Sequence, residues 1–257
     1  MNRALILMYH IVDEPRAAQE ARFCVTPREF DRQMGCLRDS GYLPMSLERI
    51  VEHMLDQEPM PPNSVAITFD DGFSVTCERA MPVLRAHDIP ATMFAVSQRL
   101  ARDNDWMHLR GAPRRALMSP SQMRELDSAG VTIGSHTATH PRLTELRPEQ
   151  VAQELRDSKQ QLEDLLGHAV RYFAYPYGLY NKGVRDAVQA SGYRAACSTR
   201  AGFNRVGEDP FALRRIDVYG GDALWQFKQK LRFGTNEASR SYPLRYYAGR
   251  LAARLGL

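Results

Sequence analysis

Two carboxylates end an apolar run in the segment Val65-Ala66-Ile67-Thr68-Phe69-Asp70-Asp71-Gly72. Parallel α/β architectures gather reacting groups at the C-terminal ends of their strands, so acids in this position are placed for chemistry. Adjacent strand residues point to opposite faces, and both aspartates reach one site only if the chain turns there, which Gly72 permits. An aspartate here also serves as the cap of a following helix, and the D-D-G triplet alone does not choose between the two. A second segment, Ile133-Gly134-Ser135-His136-Thr137-Ala138-Thr139-His140-Pro141, again follows an apolar run. Its two histidines face one metal ion if the residues between them make a helical turn, and Pro141 breaks regular structure directly afterwards. Taken alone, that spacing more often marks two surface histidines. One carboxylate with two imidazoles is nevertheless a three-ligand set for a catalytic divalent metal, with positions left open for water and substrate. The third segment, Arg171-Tyr172-Phe173-Ala174-Tyr175-Pro176-Tyr177-Gly178, ends in a Pro/Gly turn among tyrosines. Such a turn either aims a backbone amide into a site beside aromatic faces suited to a sugar, or closes a plain core strand.

These segments need elements to hold them. Apolar, β-rich runs alternate with helical patterns along most of the chain, the signature of βα units around a parallel sheet. Strands are predicted at Ala4 to His10, Val65 to Asp70, Ala91 to Ser97, Val131 to His136, Arg171 to Tyr175 and Tyr193 to Ser198, with a weaker seventh at Leu213 to Val218. Thr26-Pro27-Arg28-Glu29 and Ser119-Pro120-Ser121-Gln122 each combine a hydroxyl cap, proline at the first helical position and Glu or Gln three residues on, and so start helices. Val151, Leu155, Leu162 and Leu166 form one stripe of a helix over Pro148 to Leu166, stopped by Gly167. Gln57 to Asn63 and Asp103 to Pro113 read as loops.

At 257 residues, the chain fits a single (β/α) barrel of about 250 residues. Its 44% apolar and 25% charged residues exclude disordered, collagen-like and coiled-coil classes. Four scattered cysteines without a C-x-x-C pair argue against a zinc ribbon or a disulfide framework, and are expected as reduced, mostly buried thiols. The first apolar run, Ala4 to Met8, is far shorter than the roughly 20 residues that span a bilayer, and no ordinary signal-peptide pattern precedes it. A cytoplasmic protein is therefore expected. The net charge of +4 does not call for nucleic acid, and none is expected as a partner.

Thr68-Phe69-Asp70-Asp71-Gly72, then Ser135-His136-Thr137 through His140, then Phe173-Ala174-Tyr175-Pro176-Tyr177-Gly178, in this order and spacing, resemble the polysaccharide deacetylases of carbohydrate esterase family 4. Leu7-Met8-Tyr9-His10 and Leu213-Arg214-Arg215-Ile216-Asp217 look like the branch that includes poly-N-acetylglucosamine deacetylases. The resemblance implies an α/β fold, a distorted (β/α)7 barrel in a single domain, and removal of acetyl from N-acetylated amino sugars of an oligo- or polysaccharide or a lipid-linked glycan. Position by position, it makes Asp71, His136 and His140 the metal ligands and Asp70 the base acting on a metal-activated water. It makes the Tyr177 amide the oxyanion donor, in a substrate-binding turn of Tyr175, Pro176 and Tyr177. Zinc is the default metal, and iron, cobalt, nickel and manganese suit the same ligands.

Two departures from the family pattern bear on catalysis. Many members carry an arginine that orients the base where this chain has Ala174, and Arg215 or Arg214 is the substitute expected from the late strand. The alternative for such an arginine is a structural ion pair. The histidine that many members use as general acid is also missing, since no histidine follows His168. His10, at the end of the first strand, is the candidate for an acid or substrate-contact role, against a purely structural one. His53, His87, His108 and His168 are expected at the surface or at helix ends. The barrel is assigned to residues 1–222 and a basic helical extension to 223–257, where seven basic residues face a single acid, Glu237. Leu244, Tyr247, Ala248, Leu251 and Leu255 follow helical spacing with Arg250 and Arg254 off the stripe. That helix either docks on the barrel or makes a peripheral contact with the inner face of a membrane. Rival readings are a deacylase for O-acetyl or N-formyl groups, a catalytically weakened glycan-binding relative, and a metallophosphoesterase.

Overall fold

The computed structural model describes residues 2–255, and the side chains of residues 109, 110 and 250–255 lie outside that description. At its centre are seven strands, β1 (Arg3–Tyr9), β2 (Ser64–Phe69), β3 (Ala91–Ala95), β4 (Thr132–Ser135), β5 (Tyr172–Ala174), β6 (Ala195–Cys197) and β7 (Ile216–Asp217). They pair in the order β7-β1-β2-β3-β4-β5-β6, every neighbour parallel. The sheet curls until β6 meets the segment before β7: the Leu213 amide donates to Ala196 O at 3.0 Å and the Ser198 amide to Leu213 O at 2.8 Å. The expected single-domain barrel is formed, and this seam is where it is distorted. The predicted seventh strand gives Leu213 to β6 and only Ile216–Asp217 to β1, which leaves Arg214 and Arg215 between two partners.

Eight α-helices surround the strands: α1 (Pro27–Asp39), α2 (Leu47–Leu55), α3 (Ser74–His87), α4 (Pro120–Ser128), α5 (Pro148–Leu166), α6 (Lys182–Ala190), α7 (Leu224–Phe233) and α8 (Tyr242–Leu255). Their starts follow the predicted chemistry. Thr26 caps α1 through the Glu29 amide, Ser119 and Gln122 form a reciprocal capping box on α4, and Gly167 ends α5 at φ 78°.

Because the strands are covered on both faces, alternate residues sort into two cores. Leu5, Leu7 and Tyr9 of β1 join the outer core under the helices, whereas Ala4 and Ile6 join Ala66, Phe94, Tyr172 and Ala174 inside the barrel. Helix α2 closes the end at which the strands begin, with Leu47, Ile50, Val51 and Met54 packed into the interior. Gly134 is required there. A Cβ in its place would stand 2.5 Å from the Phe94 ring and 3.0 Å from Tyr172 O. Along β2 the inward row climbs from Ala66 through Thr68 to Asp70, so the barrel interior is apolar at one end and ionised at the other.

The C-terminal segment differs in part from the expected basic extension. Phe227 and Leu231 of α7 belong to the outer core, and Lys230 is buried with its Nζ 2.5 Å from Asp222 Oδ2. Helix α8 meets Phe233 through Tyr242, Tyr246 and Tyr247, while Leu244 stays 77% exposed and Tyr247 half exposed. Of the predicted stripe, Tyr247 therefore touches the docked face, its hydroxyl also accepting from Arg232 at 3.1 Å, whereas Leu244 and Ala248 are exposed, and Arg250, Leu251, Arg254 and Leu255 lie outside that description. No helix among the described residues is long and apolar enough to cross a membrane. All four cysteines are free, with Cys24, Cys36 and Cys197 buried. His53, expected at the surface or at a helix end, lies in the last turn of α2 and is buried there.

Candidate active site

Among the described residues, four of the eight non-glycine residues with positive φ sit at the C-terminal mouth of the barrel: Asp71 (74°), Thr137 (69°), His140 (66°) and Tyr177 (58°). Left-handed backbone at such residues costs energy and persists where the surroundings over-determine it, typically at functional sites. Asp70 continues β2, its amide donating to Tyr9 O at 3.0 Å. The chain then reverses through Asp71 and Gly72 (φ 81°), which brings both carboxylates into the same mouth.

His136 leaves β4 with its amide on Ala95 O at 2.8 Å. Its Nδ1 lies 2.8 Å from Ala174 O, and since a carbonyl only accepts, Nδ1 carries the proton and Nε2 keeps a lone pair for the site. The turn between the histidines is not the helical one that the spacing suggested. Thr137 and His140 are both left-handed, and Glu154 of α5 clamps the loop by accepting from the amides of Ala138 (2.9 Å) and Thr139 (3.0 Å) and from Thr139 Oγ1 (2.6 Å). The result is the same convergence by another route. Nε2 of His136 is 3.5 Å and Nε2 of His140 is 3.4 Å from Asp71 Oδ1, and all three side chains are buried.

Two neutral nitrogens and a carboxylate, all within 4.8 Å of one another, fit a divalent cation in size, charge and donor type. Burial pushes the Asp71 carboxyl upward, but hydrogen bonds from the two histidines hold it well below the usual carboxylate range. Burial likewise lowers His140, whereas at His136 the Asp70 charge and the hydrogen bond and charge of Asp71 together outweigh burial and raise it.

Asp70 lies beside this set and is paired with Arg215. Both terminal nitrogens of the guanidinium reach the carboxylate at 2.7 Å, and its Nε donates to Ser198 O at 2.9 Å. The arginine comes from the barrel seam, where the missing ladder frees residue 215 to turn inward. Arg214, the other candidate, turns away and lies against Gly202. Burial tends to raise Asp70, the charge and hydrogen bonds of Arg215 together with the charge of His136 more than offset this, and the carboxyl lies below its ordinary value.

A cavity of about 350 Å³ opens over these groups. His10, Tyr177 and Asp217 all line it. The His10 ring leans on Phe23, with 5.1 Å between centroids. Tyr177 sets its ring edge-on to His140 at 4.7 Å. Tyr175 and Pro176 do not contribute as the turn chemistry suggested. Tyr175 is wholly enclosed, stacked on Tyr180 with its hydroxyl donating to Phe211 O at 3.0 Å, and Pro176 is buried beside it. The alternation of an extended strand turns residue 175 outward into the helical layer, and only the end of the turn reaches the mouth.

Sequence reasoning missed one whole wall. The segment read as a loop at Asp103 to Pro113 contains a 3-10 helix, Asp105–Arg110, whose Trp106 lies on His140 with 4.5 Å between ring centroids and 21° between planes. Buried Arg115 anchors this wall. It donates to Glu20 at 2.6 and 2.7 Å and to Asp13 at 2.8 Å, joining the insertion to the loop that follows β1. A tryptophan in a polar loop was the one available signal.

Comparison with known proteins gives one consistent result. Residues 57–196 match the polysaccharide deacetylase family. The Bacillus subtilis protein YxkH is 30% identical over 217 residues, 84% of this chain and 71% of its own length. A poly-beta-1,6-N-acetyl-D-glucosamine N-deacetylase of Staphylococcus epidermidis is 25% identical over 74% of this chain and 70% of its own length. The solved structure of the deacetylase PplD from Streptococcus pyogenes, in complex with acetate, superposes with a TM-score of 0.76 at 26% identity, covering 91% of this chain and 98% of that one.

Proposed function

The chain belongs to the polysaccharide deacetylase family, and on that premise we propose that it removes acetyl groups from N-acetylated amino sugars of an oligo- or polysaccharide or a lipid-linked glycan. The observation that carries this reading is the convergence of Asp71, His136 and His140 beside a carboxylate, Asp70, that is not part of their set. Asp71, His136 and His140 would hold a divalent cation, with zinc the default. Such an ion supplies Lewis-acid polarisation of the amide carbonyl and lowers the pKa of water.

The remaining work falls to the chain itself. Asp70, kept ionised by Arg215, takes the proton from the attacking water. Arg215 acts as a positioning residue: its two-point contact fixes the plane of the carboxylate, as the arginine absent at Ala174 does in other members. The Tyr177 turn presents its amide to the developing oxyanion. His10, at the end of β1, donates the proton to the departing amine or contacts the sugar. Trp106 and Phe23 offer apolar faces to the ring. The N-deacetylase name of the staphylococcal relative supports an amide substrate, and acetate in the PplD complex supports acetyl as the group removed.

The test is acetate release from N-acetylglucosamine oligomers by the full chain. Release is expected, and it is expected to cease with a chelator, to return with added zinc and to be lost in Asp70→Asn. Release from O-acetyl esters alone would replace this reading with the esterase one.

A further inference from the structure

Asp217 projects from β7 two residues beyond Arg215, and so from the same face of the extended segment, at the mouth of the cavity. Nothing in the deacetylation steps above uses it. The chain nonetheless fixes it with unusual care. Tyr219 donates its hydroxyl to Asp217 Oδ2 at 2.9 Å, and Asn236 donates its amide to the same oxygen at 2.7 Å. The Asn236 side-chain oxygen accepts from the Asp217 amide at 2.8 Å, and Lys230 Nζ donates to the Asp217 carbonyl at 2.9 Å. Arg22 donates to the Tyr219 hydroxyl at 2.6 Å and stacks on its ring. Every contact made to Asp217 itself falls on Oδ2 or on the backbone. Among the described residues, none gives Oδ1 a hydrogen bond.

A carboxylate accepts and never donates, so an immobilised, unused oxygen on a cavity wall selects a ligand that presents a donor. Two donors on Oδ2 leave Oδ1 as the acceptor that the fold does not use. The charge of the group is also balanced locally, since Arg22 and Lys230 stand against Asp217 and Asp222. A balanced anion favours a neutral donor over a cationic one. Resting on the glycan reading above, we propose that Asp217 Oδ1 accepts a hydrogen bond from a hydroxyl of the sugar unit held in the cavity and thereby sets how that unit is oriented.

The proposal is tested by calorimetric binding of pentamers of N-acetylglucosamine, β-1,4- and β-1,6-linked, and of their fully de-N-acetylated counterparts to the full chain, with EDTA present to stop turnover. Asp217→Ala is expected to weaken binding of the acetylated and the de-N-acetylated pentamer alike, by about tenfold or more, as loss of a hydrogen bond to a charged acceptor does. Asp217→Asn is expected to lose affinity but less than the alanine variant, because Tyr219 and Asn236 draw the amide oxygen to the Oδ2 position and turn its NH2 toward the sugar, where it donates only to a hydroxyl that has turned to accept. Thermal melting of each variant close to that of the unaltered chain separates lost contact from lost fold. Unchanged affinity in both variants overturns the proposal, and so does a loss confined to the de-N-acetylated pentamers, which would assign the oxygen to an ammonium. Failure of the unaltered chain to bind any pentamer overturns it as well. Acetate release is measured separately, so a chain that binds sugar without releasing acetate would end the deacetylase reading and leave this one standing.

Discussion

A buried carboxylate beside a buried guanidinium is a delicate arrangement, because each charge loses its water and only the partner restores the loss. Asp70 and Arg215 are both almost fully enclosed and meet at two points of 2.7 Å. Truncating Arg215 therefore leaves more than a missing contact: it strands an anion in the barrel. Arg215→Ala is expected to lose about 3–5 kcal/mol of stability by urea denaturation, the usual cost of breaking one partner out of a buried pair. In the same variant, acetate release is expected to fall severalfold at saturating substrate while bound metal, measured by elemental analysis, stays near one ion per chain, because the arginine touches none of the three ligands. Turnover equal to that of the unaltered chain would remove Arg215 from the site and leave it a structural residue. Loss of the metal would do the same by another route, showing that the pair holds the ligand loops and not the base.

At the scale of elements, the mouth is built from loops that are rigid because buried side chains tie them together. Glu154 reaches from α5 to hold the His140 loop, and Arg115 straps the Trp106 wall to the segment after β1. Arg115 faces two carboxylates, Glu20 and Asp13. Burial tends to raise both, but the hydrogen bonds and charge of Arg115 prevail, so both lie below their ordinary values. A carboxyl depressed in the folded state contributes stability above its unfolded pKa and loses it as pH falls through the folded one. Arg115→Met is accordingly expected to cost about 3–5 kcal/mol at pH 7. The difference from the unaltered chain should narrow toward about pH 4, near the ordinary carboxylate value, where protonation relieves the stranded Glu20 of the variant and begins to weaken the native pair. Urea midpoints at the two pH values measure this, and a gap independent of pH would mean that Arg115 acts by packing alone. Neither strap was legible in the chain, for a physical reason. Residues 20 and 115 are far apart in sequence, and a lone glutamate or arginine carries no periodicity. The Asp70, Asp71, His136 and His140 set was legible because each group sits within a turn of an apolar strand end, where local pattern and site coincide. Tyr175 failed on the opposite count: its chemistry suits a sugar, but strand alternation had already committed it to the helical layer.

For the molecule as a whole, six of the seven barrel strands could be read directly, since continuous apolar runs bounded by turn residues are what a doubly covered parallel strand requires. The seventh was weak in the sequence because it is weak in the fold, dividing Leu213 and Ile216–Asp217 between two partners. The boundary of the barrel was harder to see. Charge set the C-terminal segment apart, whereas packing divides it within itself. Helix α7 contributes Phe227 and Leu231 to the outer core and neutralises buried Asp222 through Lys230, while α8 meets the rest of the molecule largely through aromatic contacts on Phe233. A chain ending after Ser239 keeps α7 and Asn236, and is expected to melt within a few degrees of the full chain and to release acetate at a similar rate. A chain ending at Gly221 loses two fully enclosed apolar side chains, each worth about 2–5 kcal/mol, and opens the outer core along α1. Against a total stability of about 5–15 kcal/mol, that loss is enough to unfold the barrel. The expected outcome is aggregation or a featureless near-ultraviolet circular dichroism spectrum. Should the shorter chain instead fold and turn over substrate, the catalytic unit would end before residue 223, and the burial of Phe227 and Leu231 would be a late addition to a barrel already complete without them.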